Sequence, residues 1–100
     1  MAFSKTLRKF SNPSVAQSRA YSYLGRSAKL YPASRKHKKY KIFDPKHGTW
    51  TNFGQIGYED YTKHKNKSRR KNYLARSTKM KGNWKKNPYS ANNLSMHVLW

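Results

Sequence analysis

Twenty-three lysines and arginines stand against only three carboxylates, Asp44, Glu59 and Asp60. That gives a formal net charge of +20 over 100 residues. A fold that packs so many like charges together repels itself, and an anionic partner relieves the repulsion. Ordinary soluble surfaces intersperse both signs, so a one-signed excess of this size is read as functional. If the partner is nucleic acid, release of condensed counter-ions drives the binding. The same imbalance limits the core. Apolar residues make up 35% of the chain and the mean hydropathy is −1.16, against roughly 45–50% apolar in average globular domains. Eight tyrosines, four phenylalanines and three tryptophans offset this, because each aromatic buries a large area when packed. The expectation is one minimal core that a partner completes.

Several function classes fall away. The chain has no cysteine, so disulfides, thiolate nucleophiles and sulfur-ligated zinc are all excluded. No apolar run approaches the ~20 residues of a membrane span. The basic, acid-free start resembles a transit leader, but the same character continues along the whole chain and is read as its own. Catalysis by paired carboxylates needs two acids in matched roles, and Glu59 and Asp60, being adjacent, diverge on any regular element. They are expected to pair with the lysine excess and anchor a hairpin to a basic helix. His37, His47, His64 and His97 lack the close spacing of metal ligands. Gly54 and Gly57 lack the Lys-Ser or Lys-Thr that follows them in a phosphate loop. No catalytic residue, metal or cofactor is expected.

The chain divides by texture into a basic N-terminal arm, residues 1–33, and a small α+β domain, residues 34–100. Asn12 or Ser11 followed by Pro13 marks a helix start, and Ala16, Ala20, Leu24 and Ala28 recur every four residues, predicting a helix over 13–29. Residues 1–12 are expected to order only against a partner. Two β-prone stretches, around Tyr40–Phe43 and Thr49–Phe53, flank Asp44-Pro45-Lys46-His47-Gly48, which has the residue types of a turn. This predicts a β-hairpin over roughly 38–54. It should pack on a basic helix with Asn66 as N-cap and Gly82 as its stop, and on a short C-terminal helix capped by Ser90. Tyr40, Ile42, Trp50, Phe53, Tyr61, Tyr73, Leu74 and Trp84 are the expected core, with Trp100 tucked into it or into a partner.

The basic runs interleave with aromatics, the pattern of a surface that grips phosphates and stacks on bases. Arg35, Lys36, Lys38, Lys39, Lys65, Lys67, Arg69, Arg70 and Lys71 are the expected anion contacts, made to a DNA or RNA backbone without base reading. Such runs also serve as nuclear localisation signals. The segments HKKYKIF, TWTNFG, GYEDYTKHKNKSRRKNYLARSTKMKGNW and YSANNLSMHVLW together resemble a family of small basic domains of uncharacterised function from large double-stranded DNA viruses. The resemblance covers residues 34–100 and is most specific from Gly57 to His64 with Arg69, Arg70 and Tyr73. Asn66 replaces an acidic residue usual in that family, and a capping role survives the change. The resemblance implies a viral source and a place in the virion, with the host cytoplasm or nucleus as the site of assembly. It brings no catalytic residue. Two functions are therefore expected: a minor capsid or cement protein contacting capsid neighbours, or a sequence-independent binder that condenses or escorts the genome. Neither involves a small-molecule substrate.

Overall fold

The computed structural model describes residues 3–82 and 84–100; Met1 and Ala2 of the expected arm lie outside them. The rest of that arm is folded. Helix α1 (Lys5–Arg8) is capped by Ser4, whose hydroxyl accepts from the Leu7 amide. Helix α2 (Pro13–Leu24) starts as expected, with Asn12 accepting from the Ser14 and Val15 amides and Pro13 in the first position. It ends at Leu24, five residues before the expected stop at 29. Gly25 takes φ +103°, a region open to glycine but strained for other residues, and the chain reverses. The Gln17 side chain then holds the returning strand, donating to the Ala28 carbonyl and accepting from the Leu30 amide, each at 2.8 Å.

The expected hairpin is present. β1 (Tyr31–Pro32), β2 (Lys38–Asp44) and β3 (Thr49–Gln55) form an antiparallel sheet in that order. Lys41 lies opposite Tyr31 on one side and Asn52 on the other, and Phe43 faces Trp50. The turn is built by Asp44, which accepts from the Lys46 and His47 amides while Gly48 closes the loop at φ +67°. Helix α3 (Tyr61–His64) stops where Lys65 adopts a left-handed conformation, and Asn66 restarts the chain as N-cap of α4 (Lys67–Thr78). α4 ends four residues ahead of Gly82. Ser90 caps α5 (Ala91–Leu94), which continues as a π-helical segment, Ser95–Leu99. The result is the mixed α+β arrangement read from the sequence, a small sheet with helices against it. Among the described residues, no helix is long and apolar enough to cross a membrane.

One core cluster runs through the whole chain. Leu7, Ala16, Ala20, Ala28 and Leu30 pack with Tyr40, Ile42, Phe53, Leu94, Val98 and Leu99. The boundary drawn at residue 33 therefore does not divide the core, and Leu7 of the N-terminal segment packs into it. Ala16 and Ala20 are fully buried, and their small side chains let α2 lie close against Ser95–Leu99. Tyr40, Ile42 and Phe53 are core residues as expected. Trp50 is not: it is 49% exposed. Tyr61, Tyr73, Leu74 and Trp84 are half-buried and lie outside the cluster. Gly54 supplies the closest packing. It has φ +76°, and a Cβ there would stand 2.9 Å from Leu99 Cδ1 and 3.0 Å from Lys39 Cβ, so the C-terminal segment seats directly on the sheet.

Candidate anion-binding site

The electrostatics begin with where the three carboxylates go. Asp60 is fully buried and holds the Lys39 ammonium at 3.0 Å, with that side chain only 3% exposed. Lys39 Nζ also donates to the Tyr58 carbonyl at 2.7 Å and the Phe10 carbonyl at 3.4 Å. Asp60 further accepts from the Thr62 amide and hydroxyl. The chain of contacts runs on from Thr62 to the Ser11 hydroxyl at 3.1 Å and from Ser11 to the Tyr40 hydroxyl at 2.7 Å. This network joins the N-terminal segment, β2 and the start of α3. Burial pulls the Lys39 pKa down, opposed by the charge and hydrogen bond of Asp60. An ammonium placed this way cannot meet an external phosphate, which corrects the expectation for Lys39. The carboxylate expectation holds: Asp60 pairs with β2, and Glu59 reaches Arg69 of α4 at 3.9 Å. That second pair is half-exposed at both ends, a geometry typically worth ~0–1 kcal/mol. Asp44 binds His47 Nδ1 at 2.6 Å.

With its acids committed, the chain has no side-chain carboxylate within 4.0 Å of any other lysine or arginine among the described residues. Exposed cations occur along the whole chain, and two of them, Arg69 and Arg76 of α4, line a groove of about 610 Å³ between β2–β3, α4 and the C-terminal segment. Arg69, Asn72, Tyr73, Arg76 and Met80 line one wall, the i, i+3, i+4, i+7 stripe of a helix face. Lys38 stands opposite, and the floor holds Trp100, stacked on Tyr73 at 4.3 Å and 10° between ring planes. Tyr58 (66% exposed) and Met80 (54% exposed) form part of its lining.

The other expected anion contacts are spread over two surfaces. Arg35 and Lys36 are exposed on the β1–β2 loop, whose Ser34 and Arg35 amides donate to Asn52 Oδ1. Lys65, Lys67 and Lys71 are exposed, and Lys67 and Arg69 lie in the first turn of α4. Cations at a helix N-terminus oppose the helix dipole, a conflict that a bound anion would ease. Arg70 differs. It is half-buried, donates from Nε to the Trp100 carbonyl at 2.5 Å and lies over the Tyr61 ring, so it ties α4 to the C-terminal segment. Arg76 lines the groove although it was outside the expected set; the seven-residue step from Arg69 is the signal that places it on the same face.

The pH dependence of the fold follows from two groups. Burial, and then the Arg69 guanidinium, hold His64 below its ordinary value of 6.5. Its Nδ1 accepts from the Asn66 amide at 2.8 Å, and its Nε2 is buried without a partner. Desolvation pushes Asp44 up, but the hydrogen bonds from His47 and Lys46 outweigh it and keep the carboxyl below 3.8. Both groups bind fewer protons folded than unfolded, so their contribution to stability is full above pH 6.5 and is lost on acidification. His64 contributes the first loss, as the pH drops through its folded pKa, and Asp44 contributes a second below 3.8. Urea midpoints should decline from about pH 7.5 to about pH 5.5, and a His64→Phe chain should lack that first decline.

No curated protein and no solved structure matches the chain. Residues 28–77 match the sequence model of a family of unknown function, DUF5754. That stretch holds the whole sheet, Lys39, Asp60, Asn66 and the Arg69–Arg76 wall of the groove, and it overlaps the resemblance drawn over 34–100. With half of its length inside the match, the chain belongs to the family of unknown function DUF5754.

Proposed function

We propose that this chain is a non-enzymatic structural protein of a large double-stranded DNA virus particle, lying against the packaged genome and holding its phosphates without reading bases. One observation carries the reading. Two of the three carboxylates are buried and the third reaches only Arg69, so among the described residues Lys67, Lys71 and Arg76 of α4 and Arg35 and Lys36 of the β1–β2 loop have no side-chain carboxylate within 4.0 Å. A protein built this way recruits anions, and a nucleic-acid backbone is the densest source of them. The viral setting rests on the sequence resemblance of residues 34–100. It implies residence in the virion, with the host cytoplasm or nucleus as the site of assembly.

A second reading, a minor capsid or cement protein held by capsid neighbours, is favoured by the groove, where Tyr58 and Met80 expose apolar surface. The two separate on particles disrupted in stepped salt. Release with DNA at low salt, followed by loss from DNA as salt rises, supports the genome reading. Retention on shells at high salt supports cement, because packed aromatic anchors resist screening. Absence of the protein from particles sinks both.

A further inference from the structure

We infer that the open face of the sheet is a stacking platform for unpaired bases, so that the chain binds single-stranded nucleic acid at a surface separate from its basic helix. Side chains alternate between the faces of a strand. The register puts Tyr31, Lys41, Phe43, Trp50 and Asn52 on one face. Trp50 is 49% and Phe43 42% exposed. Trp50 meets Phe43 at 5.4 Å and Tyr31 at 5.5 Å between ring centroids, both edge to face. Cross-strand packing accounts for the pairing, but not for leaving half of a tryptophan in water on a chain so poor in apolar residues. Beside Trp50 a depression of about 360 Å³ is lined by Lys29, Tyr31, Phe43, Pro45 and Tyr89.

The cations on this face select the occupant. Lys41 Nζ lies 4.9 Å from the Trp50 ring centroid, and Lys29 Nζ 6.0 Å from that of Tyr31. A base stacking on Trp50 replaces one π interaction with another, and the flexible lysine stem then carries its charge to the adjoining phosphate. Alternating aromatic rings and ammonium groups match the alternation of bases and phosphates along a single strand. A duplex keeps its bases stacked inside and offers nothing to such a face. The platform lies at the turn end of the hairpin, whereas the groove takes its lining from Lys38 and Gln55 at the other end. The inference extends the phosphate-binding reading by naming a substrate class, and a comparison of two ligands tests them apart.

The test uses the full chain with a labelled single strand of roughly 12 nucleotides and the corresponding duplex, followed by fluorescence anisotropy at one fixed salt concentration. Trp50→Ala should weaken single-strand binding by about 5- to 150-fold, the range for removing one stacked base. Duplex binding should stay within about twofold, since phosphate contacts are elsewhere. Trp50→Phe keeps an aromatic ring and should retain most single-strand affinity. Unchanged single-strand binding in Trp50→Ala overturns the platform, as does an equal loss on both ligands. If the unaltered chain binds the single strand but not the duplex even at low salt, the platform stands and the genome-backbone reading fails.

Discussion

Asp60→Ala should destabilise the fold by about 3–5 kcal/mol, the usual consequence of removing one partner from a buried ion pair. The substitution leaves the Lys39 ammonium, 3% exposed, with only the Tyr58 and Phe10 carbonyls around it. It also deprives α3 of its N-cap and Thr62 of its acceptor, a further ~1 kcal/mol. Small domains have ~5–15 kcal/mol in total, so the loss takes a large share of the stability and should lower the urea midpoint markedly. Urea unfolding followed by circular dichroism measures the effect. The pair itself can be separated from its geometry with Lys39→Met and Asp60→Asn. Each alone strands a buried polar group, while the double variant removes both charges and keeps an Asn able to cap. The double variant should therefore be more stable than the sum of the single losses predicts. A single Asp60→Ala chain as stable as the parent would mean that the pair does not hold the N-terminal segment, β2 and α3 together.

The sequence carried more of this fold than of the site, and the reasons are local. Caps are short-range chemistry, so Asn12, Asn66 and Ser90 could be placed from their neighbours alone, and the turn from Asp44 to Gly48 likewise. The core failed where long-range pairing decides. Trp50 and Phe53 are three apart on β3, so the alternation of a strand puts them on opposite faces, and only one can join a core on a single packed face. Phe43 and Ile42 are similarly opposed. Applied strictly, that rule would have moved Trp50 to the outer face together with Phe43. Within residues 3–33 the recurrence of Ala16, Ala20 and Ala28 marked residues that the core buries, but Leu7, Ser11 and Leu30 had no comparable signal. Leu7 and Leu30 are isolated apolar residues, and Ser11 becomes structural only through Tyr40 and Thr62, 29 and 51 residues on, at 2.7 and 3.1 Å. Lys39 belongs to a run of basic residues indistinguishable by composition, and what buries it is Asp60, 21 positions later. Charge counting finds how many cations a chain holds; only the fold sorts those that face water from Lys39, which is spent inside, and Arg70, which is spent on Trp100.

That sorting determines how the phosphate contact should be tested. Arg69 and Arg70 are adjacent and look equivalent in sequence, yet reversing Arg70 would cut its bond to the Trp100 carbonyl and confound binding with folding. Lys67 and Lys71 are exposed on α4 and make no ion pair. Duplex binding by the parent chain should fall by about 10³–10⁵ between roughly 50 and 200 mM salt if some 6–10 phosphates are engaged. Lys67→Glu with Lys71→Glu should shallow the log–log salt slope by about two, one for each phosphate that no longer meets a cation. The urea midpoint should not fall, because neither side chain packs against the core and a Glu in the first turn of α4 suits the helix dipole. Mixed-sequence and repetitive duplexes should bind alike, since an interaction confined to phosphates carries no sequence information. A salt slope near zero in the parent chain would remove the phosphate interaction altogether. A steep slope that the double reversal leaves intact would move it off α4, to the exposed Arg35 and Lys36 of the β1–β2 loop. Because Lys39 is committed to Asp60 and Arg70 to Trp100, the exposed cations of α4 and of the β1–β2 loop are the members of the expected set that a backbone ligand meets without first breaking the fold.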